Sequence, residues 1–393
     1  MFEIMIYKLK SYFTLAMCSL MPSIGCATSS EPPEQLQLNL PAGFEATVYA
    51  KLAVMPRMMA FGPQGNLFVS SAKSNQVIML SDADKNGAAE TQVVISNKLN
   101  APNGLAFVGD SLLVANQDGI VKLIKENNIW SEPKPFISNL ATGGHTLKTI
   151  KLSPDNHLYI NVGSSCNVCV ENDPSRATIL RYTAEGSPAG AIPVVGRHKL
   201  PPIWAKGLRN SQGFAWHPTT REMFATNNGA DMRSETKGGK VNDELPPEHI
   251  NQIKLGKHYG WPYCWGNQFT DPNFPGSDGF CKATTPPAIT LTSHSTPIGI
   301  TFLDKSHFPG EFKQDAIVAL HGSWNREELS GYKLVRIKFK DGKPVAAVDF
   351  ATGWLTNNRA WGRPVDVVIG PDGALYVTDD RAAYIYRITY KKS

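Results

Sequence analysis

Residues 367–380 read VVIGPDGALYVTDD, which is an apolar trio, a tight turn of the Pro-Asp-Gly type and an alternating strand that ends in small or polar residues. The same pattern recurs along the chain. The regular copies are MAFGPQGNLFVSSA from Met59, LAFVGDSLLVANQ from Leu105, IKLSPDNHLYINVG from Ile150 and FAWHPTTREMFATNN from Phe214. A sixth copy begins at Ile300, and its turn is lengthened around 305–313 before the strand AIVALHG. Each copy is followed by a further strand-like stretch, such as GIVKLIK or AYIYRITY.

This repeat decides the fold class. Alternating β-branched and aromatic residues between Gly, Pro, Asp and Asn turns are typical of antiparallel strands, and the sequence has no long amphipathic helical pattern. Six similar units predict an all-β, six-bladed β-propeller of four-stranded antiparallel blades. The unequal spacing of the copies predicts long loops on one face, the active-site face. An irregular β-sandwich explains the alternation but not the six copies.

The N-terminal stretch has the layout of a secretory signal. Lysines precede an apolar run over 12–21, and small residues follow it around Cys26 and Ala27. Cleavage after Ala27 and lipoprotein-type cleavage at Cys26 remain alternatives. The sequence therefore predicts a signal over 1–30 and one propeller domain over 31–393, exported to the periplasm or tethered to a membrane by a lipid anchor.

Charge and cysteine content limit the partners and the compartment. The 39 basic and 34 acidic residues give a net charge of +5 without a long basic run, so nucleic acid is not expected as a partner. Four cysteines lie beyond the signal, and an even count in an oxidising compartment favours disulfides. Short loops predict the pairs Cys166–Cys169 and Cys264–Cys281, with a metal half-site as the alternative for CNVC. Covalent haem is not supported, because Val170 follows CNVC where a histidine would be needed.

Polar side chains stand at the strand entrances, directly before the apolar trios. In a radial fold these positions converge on the central channel. They are Asn103, His145, Arg209 with Asn210, His294 and Arg363. A single such histidine would more often be satisfied by a loop carbonyl, but recurrence in several blades favours a functional role. Arg209 offers planar donors for a quinone or a carboxylate, although it is also compatible with a plain surface cation.

The segment NDELPPEHINQIKLGKHYGWPYCWG, residues 242–266, combines acidic residues with prolines. Its carboxylate and carbonyl oxygens are the kind of ligand that Ca²⁺ prefers. A solvated acidic turn is the alternative explanation.

Taken together, GGHTLKTIKLSPDNHLYINVG, WAKGLRNSQGFAWHP, DELPPEHINQI with KHYGWP, and RPVDVVIGPDGALYVTDD resemble the glucose/sorbosone dehydrogenases, the soluble dehydrogenases that depend on pyrroloquinoline quinone (PQQ). The resemblance extends over about 38–390. The neighbourhood of Cys264 and Trp265, with HGSWNR later in the chain, looks closest to the L-sorbosone dehydrogenase branch.

The resemblance implies PQQ at the channel mouth with Ca²⁺ beside it. It implies that His145 is the general base, acting with Arg209. It also implies that Asn210 and Arg363 contact PQQ and that calcium is bound within the loop Asp243, Glu244, Leu245, Pro246 and Pro247. Asn103, from its strand-entrance position, and Arg326 are further predicted contacts of PQQ. The family's cofactor lysine is missing from HGSWNR, where Asn325 and Arg326 are its candidate substitutes. Trp361 replaces a second arginine, and Arg359 is its candidate stand-in.

The expected activity is oxidation of a sugar or a sugar-derived aldehyde or alcohol, with electrons passed on to an acceptor that the sequence does not identify. Two alternatives remain. A calcium-dependent lactonase-type hydrolase uses the same architecture, but it needs several metal-binding carboxylates at the strand entrances. A non-enzymatic carbohydrate-binding propeller explains the repeats but leaves His145, Arg209 and Arg363 without a role. The oligomeric state is not predicted.

Overall fold

A computed structural model describes residues 37–190 and 202–391. In these ranges the regular secondary structure is almost entirely β-strand, arranged in six four-stranded antiparallel sheets and three small hairpins. The prediction of a six-bladed propeller is confirmed. The signal predicted over 1–30 lies outside the described residues. No helix within the described part is long and apolar enough to cross a membrane.

The strands follow one another blade by blade. The first strand is β1 (Phe44–Lys51), and blade 1 contains β2 (Met59–Phe61), β3 (Leu67–Ser71), β4 (Gln76–Ser81) and β5 (Thr91–Ser96). Blade 2 contains β6 (Leu105–Val108), β7 (Ser111–Ala115), β8 (Ile120–Leu123) and β11 (Lys134–Ile137), with β9 (Lys125–Glu126) and β10 (Ile129–Trp130) as an extra hairpin. Blade 3 contains β12 (Ile150–Leu152), β13 (His157–Val162), β14 (Thr178–Thr183) and β15 (Ile203–Lys206).

The second half repeats this order. Blade 4 contains β16 (Phe214–Trp216), β17 (Met223–Asn227), β18 (Glu248–Ile253) and β21 (Ile289–Leu291), with the hairpin β19 (Cys264–Trp265) and β20 (Phe269–Thr270) and the short helix α1 (Asp278–Ala283) inserted before β21. Blade 5 contains β22 (Pro297–Phe302), β23 (Ala316–Leu320), β24 (Lys333–Lys340) and β25 (Lys343–Ala351), with a 3-10 turn at Gly310–Phe312, and the hairpin β26 (Leu355–Thr356) and β27 (Arg359–Ala360) follows it. Blade 6 contains β28 (Pro364–Ile369), β29 (Leu375–Asp379) and β30 (Tyr384–Tyr390).

The N-terminal strand closes the ring. Strand β1 adds to the outer edge of blade 6 by pairing with β30, and Phe44 stands opposite Tyr390 in this register. The Phe44 ring also makes edge contacts with the rings of Phe308, Phe312 and Phe350. Because this pairing joins the two ends of the described chain, the edge strand that would otherwise be exposed is covered.

The innermost strands pack so closely that glycine is required between them. A Cβ on Gly213, just before β16, would collide with the carbonyl oxygen of Ile298 in β22. Each innermost strand is one of the apolar trios of the sequence repeat. The chain enters these strands from one face and turns at the other, so the strand entrances and the loops between second and third strands share one face.

Both predicted disulfides are present. Cys166 pairs with Cys169, and Cys264 pairs with Cys281. The first closes a tight loop between β13 and β14, on the face of the strand entrances. CNVC therefore forms a disulfide and not the alternative metal half-site, because both sulfur atoms are used in the disulfide bond.

Candidate functional site

His145 lies on the strand-entrance face, before β12, and its ring has a defined tautomer. Its Nδ1 is 2.9 Å from Ser164 Oγ and 3.2 Å from the Ser164 carbonyl oxygen. The Ser164 hydroxyl donates its own proton to the Cys166 carbonyl, 2.7 Å away, so Nδ1 must be the donor to Ser164. Nε2 is therefore unprotonated, and it has no hydrogen-bond partner within residues 37–190 and 202–391. Burial, followed by the charge of Arg209, lowers the pKa of His145 to about 4, which keeps the ring neutral at pH 7.

Arg209 is buried beside this histidine, and protein acceptors surround its guanidinium. Nε donates to the Asn167 carbonyl at 3.1 Å, and Nη1 donates to the Gly229 carbonyl at 2.6 Å. Nη2 donates to Asn167 Oδ1 and to Asp231 Oδ2, each at 2.9 Å. With a side chain only 5% exposed, Arg209 is a fixed cation held in one orientation.

Asn210 follows Arg209 in the chain, and its Oδ1 is an open acceptor close to His145. A Cβ built on Gly163 would stand 2.5 Å from the His145 Cβ and 3.3 Å from Asn210 Oδ1, so only glycine fits between them. Asn210 Oδ1 is buried and has no hydrogen-bond partner in the described protein. The same is true of Asn228 Oδ1 and Asn325 Oδ1. Buried amide oxygens without partners are costly, which points to a ligand or ordered water at this place.

A second charged group occupies the channel where blades 5, 6 and 1 meet. Arg363 Nη2 donates to His321 Nδ1 at 2.9 Å, and His321 Nε2 contacts the Asp380 carboxylate at 2.9 Å. Asp380 also pairs with Arg57 at 2.9 Å. Because Nδ1 accepts from a guanidinium, the proton of His321 is on Nε2 and the ring is neutral. Burial lowers the pKa of His321 to about 4, in agreement with a neutral ring.

Arg57 connects this cluster of Arg363, His321 and Asp380 with the loop that carries Arg209. Arg57 Nη2 donates to Gln212 at 3.2 Å, and Gln212 follows Arg209 in the same loop. Arg57 Nε donates to Asn103 Oδ1 at 3.4 Å. Asn103 is completely buried, and its amide nitrogen donates to the Lys148 carbonyl at 3.2 Å. Asn103 therefore helps to orient the Arg57 guanidinium by accepting its Nε–H. The predicted contact of Asn103 with a cofactor stays a prediction.

Asp231 connects the remaining loops of this face. It pairs with Arg209, accepts from Asn325 Nδ2 at 3.0 Å, and lies 3.9 Å from His294 Nδ1. The side chain is one quarter exposed, so this carboxylate lies at the open surface of the site. His294 and Asn325 are thus brought to the predicted site, and Asp231 is what joins them to Arg209.

The segment predicted to bind calcium lies next to Arg326. Arg326 Nη1 donates to the Asp243 carbonyl at 2.9 Å, and its Nη2 pairs with the Glu244 carboxylate. Asp243 Oδ2 accepts from the Glu327 amide at 2.9 Å. A guanidinium on these oxygens disfavours a second cation on the same atoms. Arg326 thus holds this loop in place, and its predicted contact with a cofactor stays a prediction.

A buried carboxylate follows that segment. Glu248 is fully buried at the start of β18, and it accepts from the Gly229 amide at 2.6 Å. Burial raises the pKa of Glu248 to about 7, against the lowering effects of the Gly229 hydrogen bond and Arg209. Glu248 thus binds the amide of Gly229, and Arg209 donates to the carbonyl of the same residue. Glu248 therefore helps to hold Gly229 in place beside Arg209.

A sequence model of the TrAA12-like family matches residues 38–391. The chain belongs to the TrAA12-like family. Similarity to a PQQ-dependent pyranose dehydrogenase agrees with the predicted resemblance to PQQ-dependent sugar dehydrogenases. None of these relatives is a sorbosone dehydrogenase by name, so the L-sorbosone branch stays a prediction.

The TrAA12-like chain is similar to three proteins from different organisms. It is 28% identical to an uncharacterized protein of Borreliella burgdorferi over 98% of both chains. It is 24% identical to the pyrroloquinoline quinone-dependent pyranose dehydrogenase of Coprinopsis cinerea over 93% of this chain, and it spans only 56% of that enzyme's length. The holo PQQ domain of the Coprinopsis enzyme aligns with a TM-score of 0.76 at 22% identity, covering 93% of this chain and 99% of the domain. A calcium structure of the Trichoderma reesei family AA12 protein aligns with a TM-score of 0.79 at 19% identity, covering 93% and 99%. These two structures establish the shared fold.

Four residues of the candidate site were not predicted from the sequence: Arg57, Asp231, His321 and Asp380. Arg57 stands before the trio MAF at the same spacing as Asn103 before LAF, so the strand-entrance rule would have found it. His321 and Asp380 each follow the second strand of a blade and are part of the quoted repeats. Asp231 lies in the long loop between β17 and β18, where the sequence gives no such signal.

Proposed function

We propose that this protein is a PQQ-dependent oxidoreductase that oxidises a sugar or a sugar-derived aldehyde or alcohol. The observation that carries the proposal is the neutral His145 with an open Nε2 beside the fixed cation Arg209. The PQQ-dependent Coprinopsis relative supports the cofactor and the substrate class. Aldoses and sorbosone-like aldehydes are the proposed substrates.

The described residues fit an anionic, planar cofactor. PQQ carries carboxylates and quinone oxygens, which call for cations and hydrogen-bond donors at fixed positions. Arg57 and Arg363 supply guanidinium groups in the channel, and Arg209 supplies the third on the His145 side. Gly163 leaves the gap between His145 and Asn210 that a Cβ would fill. When bound, PQQ would supply the two-electron acceptor that protein side chains lack.

His145 supplies the base of the proposed reaction. Its Nε2 lone pair can take the hydroxyl proton of the substrate, or of a hydrated aldehyde, while the hydrogen on the same carbon leaves as hydride. Ser164 holds the opposite nitrogen and fixes the ring orientation. Arg209 stands nearby as fixed positive charge, which stabilises negative charge that develops during the reaction without reorganisation.

The activity should have an acid limb set by His145. Because the folded-state pKa lies at about 4 instead of the ordinary 6.5, the base form is present above pH 4 and is lost as the pH falls through that value. We expect kcat/KM for sugar oxidation to be level from neutral pH to about pH 5 and to fall about tenfold per pH unit well below 4. The measurement is a pH profile with stability checked at each pH. An acid limb centred near pH 6.5 would contradict this assignment.

Calcium remains part of the proposal, in a narrower form. The contacts of Arg326 leave the carbonyl oxygens of Leu245, Pro246 and Pro247 as the better candidates within the predicted loop. The calcium structure of the Trichoderma relative supports testing the ion.

Export of the protein also stays a proposal. It comprises a signal over 1–30, a single domain over 31–393, and a periplasmic or lipid-tethered location.

A lactonase-type hydrolase is the alternative that the geometry argues against. Such an enzyme needs carboxylates free to bind a metal in the channel. Of the carboxylates at this face, Asp231, Asp380 and Glu244 are paired with arginines. A carbohydrate-binding propeller without activity would leave the Nε2 of His145 unexplained.

A substrate panel separates these functions. The purified protein should reduce an artificial dye with aldoses or with sorbosone-like aldehydes when PQQ and Ca²⁺ are present, and it should not hydrolyse sugar lactones without PQQ. Lactone hydrolysis in the absence of PQQ would favour the hydrolase. Sugar binding without dye reduction by any panel member would favour the binding propeller.

A further inference from the structure

The disulfide loop between β13 and β14 contacts both proposed catalytic residues. Cys166 and Cys169 close a loop with a sequence separation of 3, which contains Asn167 and Val168. The loop begins two residues after Ser164. It lies at the open face, where Asn167 itself is exposed. It is thus a surface loop whose shape is fixed by a covalent bond.

Asn167 makes the contacts on the Arg209 side. Its carbonyl accepts from Arg209 Nε, and its Oδ1 accepts from Arg209 Nη2 and from the Asp231 amide at 2.8 Å. Its Nδ2 donates to the Asp231 carbonyl at 2.9 Å, and Trp261 Nε1 donates to its main-chain carbonyl at 3.1 Å. Asn167 therefore holds Arg209 and the Asp231 backbone in one arrangement.

Ser164 and Cys166 make the contacts on the His145 side. The Cys166 carbonyl accepts the Ser164 hydroxyl proton, which leaves Ser164 Oγ as the acceptor for His145 Nδ1. The Ser164 carbonyl also accepts from Nδ1, and the Cys166 carbonyl orients the Ser164 hydroxyl, so both carbonyls of this segment support the tautomer that exposes Nε2. Glu171 anchors the far end of the segment by accepting from the Ser165 amide and hydroxyl, at 2.6 and 2.7 Å.

We infer that the disulfide-closed segment Ser164–Cys169 is a shared positioning element, which fixes the proton position on His145 and the orientation of Arg209 at the same time. The inference rests on the proposed function and deepens it, because it names positioning residues for that reaction. An exposed loop of this kind would otherwise sample several conformations. The disulfide removes that freedom, so both residues are set before substrate binds.

Opening the loop should change the titration of His145. In Cys166→Ser/Cys169→Ser the Cys166 carbonyl and Ser164 are no longer held, so the ring gains solvent and its pKa should rise from about 4 towards the ordinary 6.5. The charged groups that face the ring are Arg209 and Asp231. The measurement is an NMR titration of the His145 ring in apo-protein, which needs neither PQQ nor activity. The acid limb of kcat/KM should move in the same direction.

Asn167→Ala tests the Arg209 side without touching the disulfide. Loss of the amide removes one acceptor of Arg209 and both contacts to the Asp231 backbone, so we expect kcat to fall about 10- to 100-fold, as a misplaced catalytic group does. KM should change much less, and the His145 pKa should stay near that of wild type. Asn172→Ala is the matched control. Asn172 is an exposed amide beyond the disulfide loop, in the same connection between β13 and β14, and its side chain makes no hydrogen bond in the part of the chain that the structure describes.

The second disulfide controls for general loss of stability. Cys264→Ser/Cys281→Ser opens a loop in blade 4, and it should lower the melting temperature while leaving the His145 titration unchanged. The inference is overturned if this variant shifts the His145 pKa as much as the Cys166/Cys169 variant does, or if the latter leaves it unchanged. It is also overturned if Asn167→Ala and Asn172→Ala have the same kcat. If wild type oxidises no sugar with PQQ but the His145 titration responds as expected, the proposed function fails and the positioning role stands.

Discussion

His145→Ala is expected to lower kcat for PQQ-dependent sugar oxidation by about 10² to 10⁴, the usual contribution of a positioned general base. The variant removes a ring whose unprotonated Nε2 has no hydrogen-bond partner among the described residues. Arg57, Arg209 and Arg363 remain, so PQQ affinity should stay close to that of wild type. The measurements are steady-state dye reduction at saturating PQQ and a separate PQQ titration.

His157→Ala is the matched control for this prediction. His157 begins β13 at the opposite face of the same blade, and its Nδ1 contacts the Asp155 carbonyl at 2.9 Å. It should keep the wild-type rate. A His145→Ala protein that oxidises sugar at nearly the wild-type rate would remove His145 from the mechanism.

Arg209→Lys is expected to weaken PQQ binding about 10- to 100-fold and to slow oxidation. A lysine keeps the charge but cannot reach Asn167, Gly229 and Asp231 at once, because an ammonium lacks the planar fork. Once the cation is no longer held in one orientation, its proposed contact with PQQ should be lost, and loss of one charge-assisted hydrogen bond costs about 1.5–3 kcal/mol, which corresponds to that range. Binding is measured by PQQ titration, and kcat by dye reduction.

Arg336→Lys controls for the loss of a guanidinium fork elsewhere. Arg336 lies in blade 5, where its Nε pairs with Asp315 at 2.6 Å and its Nη2 donates to the Glu311 carbonyl. Both substitutions should lower stability, but only the one at Arg209 should change PQQ affinity. Equal PQQ affinity in wild type and Arg209→Lys would separate Arg209 from cofactor binding.

The fold was predictable because its information is local. Each blade repeats an apolar trio and a turn, so six similar segments indicate six blades without knowledge of any long-range contact. The disulfides were predictable for a similar reason, because each joins cysteines close in sequence. The pairing of β1 with β30 joins the ends of the described chain and has no local sequence signal, so the closure of the ring was not predicted.

The site was predictable only in part, because much of it is made by contacts across blades. The strand-entrance rule found His145, Arg209, Asn210 and Arg363. It did not reveal that His321 and Asp380 would join Arg363 to Arg57, since these pairs come from different blades. Arg326 shows the opposite case, where the residue type suits a cofactor carboxylate but the fold places it against the Asp243 carbonyl.

The most direct test of the account is a titration of apo-protein with PQQ in the presence of Ca²⁺, followed by dye-coupled oxidation of an aldose. The account predicts no activity without PQQ, a rise with each addition, and saturation at one PQQ per chain. Protein that binds no PQQ, or that binds it and reduces no dye with any sugar or sugar-derived aldehyde, would contradict the proposed function.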